Sequence, residues 1–254
     1  MNRQAQAAML FLIGVAVLHA GFTDLYLRYV KAGLRPLLLA AGVILIVTAL
    51  ATIWYELRRP RATQDKPQKH QPEREHHDAD LHGHAHREPR VSWLLVLPLF
   101  ALILVAPPAL GSYSAMHTGT ALQRPWGFPT LPSRDPLPLN MTDYAGRAVY
   151  DHGHHLDGRR IKITGFVALD RGGAPYLVRM ALNCCAADAQ PVKIGLTGQI
   201  PPVLQPDTWL QVTGTYTRKR TKDPVNGGVI PFINVSHATP VPTPHDPYDE
   251  SWNG

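Results

Sequence analysis

The 254-residue sequence predicts a membrane α plus all-β protein, with three transmembrane helices followed by a small five-stranded barrel at the C-terminal end. Three apolar runs of membrane length predict the helices. Five short apolar or alternating runs in the last hundred or so residues predict the barrel. The whole-chain composition, with 45% hydrophobic and 17% charged residues, averages apolar helices with more polar segments. Composition alone would therefore suggest an ordinary globular protein.

The apolar runs cover residues 7–27, 34–55 and 91–111. A hydrocarbon core about 30 Å thick requires about 20 helical residues. Because lipid chains cannot form hydrogen bonds with backbone N–H and C=O groups, each run must be a helix. Trp54 and Trp93 lie at run ends, where an aromatic belt would place them. Two alternatives stay open, namely a signal peptide for the first run and buried core helices for all three.

Lysine and arginine are distributed asymmetrically about these runs. Eight lie between the second and third runs, on the side shared by Arg3, whereas the first loop carries Arg28, Lys31 and Arg35. Because cytoplasmic loops are enriched in these residues, the N-terminus and the long loop should be cytoplasmic. The C-terminal domain of this multi-pass inner-membrane protein is then extracytoplasmic. The net charge of +6 reflects this orientation, since no segment has the dense basic face that nucleic acid requires.

Residues 56–90 predict a disordered, histidine-rich cytoplasmic loop, because they contain four prolines, many charges and almost no aliphatic side chains. Neutral imidazole binds zinc, copper, nickel or cobalt, and nearby carboxylates can complete the shell. The candidate ligands are His76, His77, His82, His84 and His86. The alternative is a solvated linker whose histidines have no function.

The C-terminal region divides into a proline-rich connector (112–141), an OB-like domain (142–240) and a flexible tail (241–254). Gly165 and Gly214 lie inside two strands and would let them bend, as closure of an OB-type barrel requires. Although that fold often binds oligonucleotides, we expect no nucleic-acid partner, because the barrel is placed outside the cytoplasm. The predicted strands cover residues 160–169, 175–185, 191–196, 209–216 and 232–235.

Cys184 and Cys185 are the two cysteines of the chain, and they are adjacent. A regular strand would point their side chains to opposite faces, and a disulfide between neighbours is strained. Three interpretations stay open. A break at the strand end would let both thiolates, Asp188 and an outer histidine hold a soft metal. Alternatively, a strained disulfide acts as a redox switch, or one cysteine packs inside while the other faces a groove.

His152, His154 and His155 complete the candidate outer metal site, with a solvated loop as the alternative. Zinc or another transition metal is the candidate ion, and no other cofactor is indicated. The sequence contains no nucleophile elbow, phosphate-binding loop, HExxH or paired CxxC motif. We therefore expect that the protein is not an enzyme.

The stretches ITGFVALD, YLVRMALNCCAADAQPVKIGL and WLQVTGTY resemble the YcgQ-like family of proposed two-component permease subunits. The most specific part is the CCAADAQPV motif, and the resemblance extends from the first helix to about Pro242. It implies N-terminal transmembrane helices, an OB-like extracytoplasmic domain of unknown function and a separate multi-spanning permease as partner. A link to zinc or other metals has been suggested for that family. The histidine clusters are not part of its pattern.

Together, these features predict an integral membrane accessory subunit of a permease for a transition metal or another small solute. The barrel would be its binding or docking module. The apolar runs contact lipid but hold too few ionisable residues to form a transport path without a partner. The alternative is an envelope structural or protein-interaction module with incidental histidine and cysteine motifs.

Overall fold

The computed structural model describes residues 3–58 and 109–250. Within them the chain forms two compact units. One contains residues up to 19 together with those from 38 to 58, and is helical. The other combines residues 20–37 with everything described from residue 109 onward. The segment between the two N-terminal helices therefore belongs to the same unit as the β-barrel.

The helical unit is formed by α1 (Arg3–Phe22) and α2 (Arg35–Arg58). Small residues let the two helices approach closely, because a Cβ on Gly14 would lie 2.7 Å from Ile46 Cγ1 and one on Gly42 would lie 2.8 Å from Leu18. The stretch Ala32–Arg58 is long and apolar enough to cross a membrane, and Gln6–Phe22 is a shorter apolar helix. The chain is thus consistent with a membrane-anchored protein.

The structure corrects the predicted helical region at two boundaries. Helix α1 ends at Phe22, before the predicted end at residue 27, and Asp24–Arg28 form a short 3₁₀ helix instead. Residues 56–58, assigned to the histidine-rich loop, form the last turn of α2. The rest of that loop and nearly all of the third predicted helix, 91–111, lie outside the described residues. Over residues 3–58 and 109–250, one helix qualifies as a membrane span, so a count of three spans is not shown.

The β-barrel of the second unit has the predicted five strands, and it closes on itself. The elements of this unit are α3 (Ser112–His117), β1 (Leu137–Pro138), α4 (Met141–Tyr150), β2 (Arg160–Leu169), β3 (Pro175–Leu182), β4 (Gln190–Gly198), β5 (Trp209–Lys222), β6 (Val229–Pro240) and β7 (Tyr248–Glu250). The strand order β2-β5-β6-β4-β3 returns to β2, with one parallel pair, β4 with β6. This arrangement is OB-like. Two short strands, β1 and β7, extend the sheet.

Helix α4, which the sequence interpretation did not predict, packs on the barrel core. Asn140 caps its N-terminus by accepting from Asp143 N at 2.6 Å, and Tyr144 is fully buried. The buried Asp249 of β7 accepts from Met141 N at 2.9 Å and forms an ion pair with Arg179. The predicted tail therefore includes a strand that fastens α4 to the barrel.

The two strand glycines have the role that the sequence predicted. A Cβ at Gly165 would lie 2.7 Å from the carbonyl oxygen of Val178, and one at Gly214 would lie 2.4 Å from that of Asn234. A register shift between β5 and β6 falls at Thr213/Gly214. The strands approach too closely there for any side chain, so glycine permits the bend that closes the barrel.

A buried ion pair fastens the connector to the barrel. Lys193 Nζ of β4 lies 2.7 Å from Asp223 Oδ2, just after β5, and neither side chain is more than 1% exposed. The same carboxylate oxygen accepts from Thr120 N at 2.8 Å, and Lys193 also donates to Thr118 O. Residues 118–120 of the connector are thereby held against two strands.

Candidate metal site at the cysteine loop

The cysteine loop (residues 183–188) follows directly after β3. The strand ends at Leu182, three residues before its predicted end, and a single turn of 3₁₀ helix covers Ala186–Asp188. Because the strand stops before the cysteines, the alternation that would separate their side chains no longer applies. The break that a shared site requires is therefore present. Both cysteines are free thiols.

Asp188 holds the cysteine loop in shape. Its Oδ1 accepts from Asn183 N at 3.1 Å and from Cys185 N at 3.4 Å. Its Oδ2 accepts from Cys184 N at 2.8 Å and from the Cys184 thiol at 2.9 Å. A carboxylate has about four acceptor positions, so these four donors fill it. Asp188, which the sequence suggested as a ligand, thus also caps the backbone amides of the cysteine loop.

The loop brings three ligand atoms together. One sulfur each from Cys184 and Cys185 and one oxygen of Asp188 all lie within 4.8 Å of one another. Two thiolates bound to one tetrahedral zinc ion lie about 3.8 Å apart, given Zn–S bonds of about 2.3 Å. Cys184 is exposed and the other two residues are partly exposed. A small contraction of the loop would therefore place all three around an ion that remains accessible.

The same contacts set the protonation of the loop. The hydrogen bond to Asp188 raises the pKa of the Cys184 thiol to about 11, and the neighbouring Cys185 adds to the shift. For Asp188, partial burial raises the pKa, but hydrogen bonds from Cys184 and the loop amides outweigh it and leave the pKa lowered. At neutral pH the pair is thus a thiol and a carboxylate. An incoming metal must displace the thiol proton, which also frees Asp188 Oδ2 to bind.

The segment between α1 and α2 contacts the cysteine loop through its backbone. Val30 forms an antiparallel bridge with Cys185, Ala186 N donates to Tyr29 O at 2.7 Å, and Lys31 N donates to Cys184 O at 3.2 Å. Sequence reasoning missed this contact, since residues 29–31 show no strand pattern. The candidate site is therefore next to the short connection between the two N-terminal helices.

The predicted histidine ligands are not part of this group. Among residues 3–58 and 109–250, the group of three ligand atoms contains no histidine. His155 Nδ1 instead lies 2.6 Å from Asp151 Oδ2, while His152 and His154 line a cleft of their own. The five histidines of the predicted cytoplasmic loop, 76 to 86, lie outside the described residues.

The fold and the loop define a class of protein: an OB-like barrel with vicinal cysteines, in a chain with an apolar helix that could cross a membrane. Residues 132–249 match the family model of the DUF1980 C-terminal domain. This match supports a DUF1980, YcgQ-like family, in agreement with the resemblance found in the sequence. No curated protein and no solved structure matches the chain.

Proposed function

We propose that this protein is a membrane-anchored accessory subunit of a permease, and that it binds a thiophilic transition metal, zinc being the leading candidate, at the cysteine loop. The observation that carries the proposal is the set of three donor atoms within 4.8 Å on an accessible loop. Structural zinc sites have four protein ligands, whereas three ligands leave one position open. An open position suits an ion that is passed on to a partner.

The apolar segments support the anchoring role. In this proposal α1, α2 and the third apolar run all span the inner membrane, with the N-terminus in the cytoplasm and the barrel outside. Thr48 Oγ1 donates to Ile44 O within α2, so its hydroxyl is satisfied inside the helix. Because a transport path requires buried ionisable residues, movement of the ion is assigned to a multi-spanning partner. The protein itself is a binding subunit and not an enzyme.

A second candidate function is an envelope structural module without a metal. The filled carboxylate of Asp188 favours it, since four hydrogen bonds already explain the shape of the loop. The two candidates differ in what happens when metal is added. A structural loop keeps its thiol protons, whereas a metal site releases them.

The metal proposal predicts that the purified full-length protein binds cobalt(II) with near-ultraviolet thiolate-to-cobalt charge-transfer absorption. That absorption arises from sulfur ligands, so cobalt bound by the histidine-rich loop does not contribute to it. Cys184→Ser/Cys185→Ser should abolish it and weaken binding at this site more than about 100-fold, because even outer-shell changes cost 10–100-fold. Since the pKa of Cys184 is about 11, affinity should fall by about tenfold per pH unit between pH 9 and pH 7 from this proton alone.

His154→Gln is the matched control, since His154 was a predicted ligand and lies outside the group of three. It should leave the absorption unchanged. If the wild-type protein, with both thiols shown to be reduced, gives no sulfur-to-cobalt absorption at pH 8, the metal proposal is wrong. The structural module then remains.

The subunit proposal predicts a stable complex. After extraction of native membranes in a mild detergent, the tagged protein should elute with one multi-spanning membrane protein at a fixed ratio. Quantitative mass spectrometry of the size-exclusion peak measures that ratio. A chain that elutes alone, or with soluble envelope proteins only, would count against a permease partner and favour the structural module.

A further inference from the structure

A second concave surface, the arginine cleft, has a volume of about 510 Å³. It does not include any residue of the cysteine loop. Two arginines, one aspartate, two histidines and one tyrosine line it. The side chains are His152, His154, Asp157, Tyr216, Arg218 and Arg220.

One wall is a turn with an unusual backbone. His152 and Gly153 have φ values of 51° and 75°, in the left-handed region that residues other than glycine rarely adopt. A Cβ on Gly153 would lie 2.3 Å from the ring of Tyr216, and Tyr216 Oη donates to His152 O at 3.1 Å. Leu156 is fully buried and anchors the turn. This turn brings His152 and His154 into the lining of the cleft.

The other lining residues lie at a bulge in β5. Tyr216 pairs with Ile233 and Arg220 with Pro231, so four steps along β5 match two along β6. Such bulges redirect side chains and are common beside functional sites. Here Lys219 lies over the ring of Phe232, 4.5 Å from its centroid, while Arg218 lines the cleft.

A backbone carbonyl orients Arg220. Its guanidinium donates to Ala148 O, in the last turns of α4, at 2.7 Å. A guanidinium carries five N–H donors, so this bond leaves others for a ligand. The planar guanidinium group of arginine matches the geometry of phosphate oxygens. Two arginines and one aspartate also give the cleft a net positive charge. That charge disfavours binding of a metal cation, which the sequence had suggested for His152 and His154.

We propose that the arginine cleft binds a phosphate group, with Arg218 and Arg220 as its charged ligands. A volume of about 510 Å³ accommodates a phosphate with a small substituent. The phosphate belongs either to a phospholipid headgroup or to a free phosphate compound. This proposal is independent of the cysteine loop and of the proposed function.

The test uses full-length protein in detergent micelles and calorimetric titration with two probes, inorganic phosphate and short-chain phosphatidylglycerol. Arg218→Gln should weaken binding at least about tenfold, in line with the loss of a charged hydrogen bond. Arg171→Gln makes the same charge change on an exposed turn of the barrel and should have no effect. Cys184→Ser/Cys185→Ser should also bind like the wild type.

Each outcome has a defined meaning. Binding of inorganic phosphate supports the proposal with a free phosphate as ligand. Binding of phosphatidylglycerol alone, with short-chain phosphatidylcholine as comparison, supports it with a lipid headgroup. The proposal is overturned if neither probe binds at millimolar concentration, or if Arg218→Gln binds as tightly as Arg171→Gln.

Discussion

Asp223→Asn is expected to lower the free energy of unfolding by about 3–5 kcal/mol, the usual cost of removing one partner from a buried ion pair. The change leaves the Lys193 ammonium in the protein interior, where both side chains are at most 1% exposed. Either orientation of the amide would also bring its NH₂ group against an N–H donor, because Oδ2 accepts from Lys193 and Thr120 N while Oδ1 accepts from Val225 N.

The measurement is urea unfolding of the full-length protein in detergent micelles, followed by near-ultraviolet circular dichroism. Asp135→Asn is the matched control. Its ion pair with Arg160 is more than half exposed on both sides, so solvent already screens it and the loss should be far smaller than for Asp223→Asn. Equal losses for the two variants would show that burial of the Lys193 pair does not matter.

Gly214→Val is expected to destabilise the barrel by about 3 kcal/mol, at the upper end for overpacked sites. The first side-chain atom alone would lie 2.4 Å from the carbonyl oxygen of Asn234. That oxygen belongs to the backbone of β6 and cannot rotate away as a side chain would. The bend at the Thr213/Gly214 register shift must then open.

Gly127→Val provides the comparison, because a Cβ there has no neighbour within 4 Å and its φ is not positive. It should leave stability nearly unchanged. Hydrogen exchange of the β5 and β6 amides should accelerate in Gly214→Val and not in Gly127→Val. Gly214→Ala should fall between these two, since it adds only the clashing atom. A barrel that tolerates valine at residue 214 would disprove the close-approach explanation.

The sequence predicted those parts of the barrel that local pattern determines. β2 has its predicted bounds, 160–169, because its first half alternates between polar and apolar residues and its second half is a continuous apolar run. β5 continues to Lys222, six residues beyond its predicted end, through a polar stretch. There the strand persists because it pairs with β6, and no apolar pattern marks such pairing. The sequence did not indicate β7, because three residues are too few to show an alternating pattern.

The candidate site was predicted in part. A break at the end of β3 was one of three interpretations of the adjacent Cys184 and Cys185, and the strand does end before them. The hydrogen bonds that occupy Asp188 could not be foreseen, because they depend on the path of the loop backbone. The arginine cleft was equally hidden. Its histidines and arginines are more than 60 residues apart, and a left-handed turn and a bulge bring them together.

The bridge between Val30 and Cys185 has a consequence for how the barrel can be separated from the rest of the chain. Exposed backbone edges invite pairing with other molecules, and proteins usually cover them. Here the cover for the cysteine loop comes from residues 29–31, which precede the barrel domain by about a hundred positions. A fragment that begins at the connector would lack residues 29–31. The backbone groups of the cysteine loop that pair with them would then be exposed beside two thiols and available for aggregation. The smallest self-sufficient piece is therefore discontinuous in sequence, and it includes the turn between the first two helices.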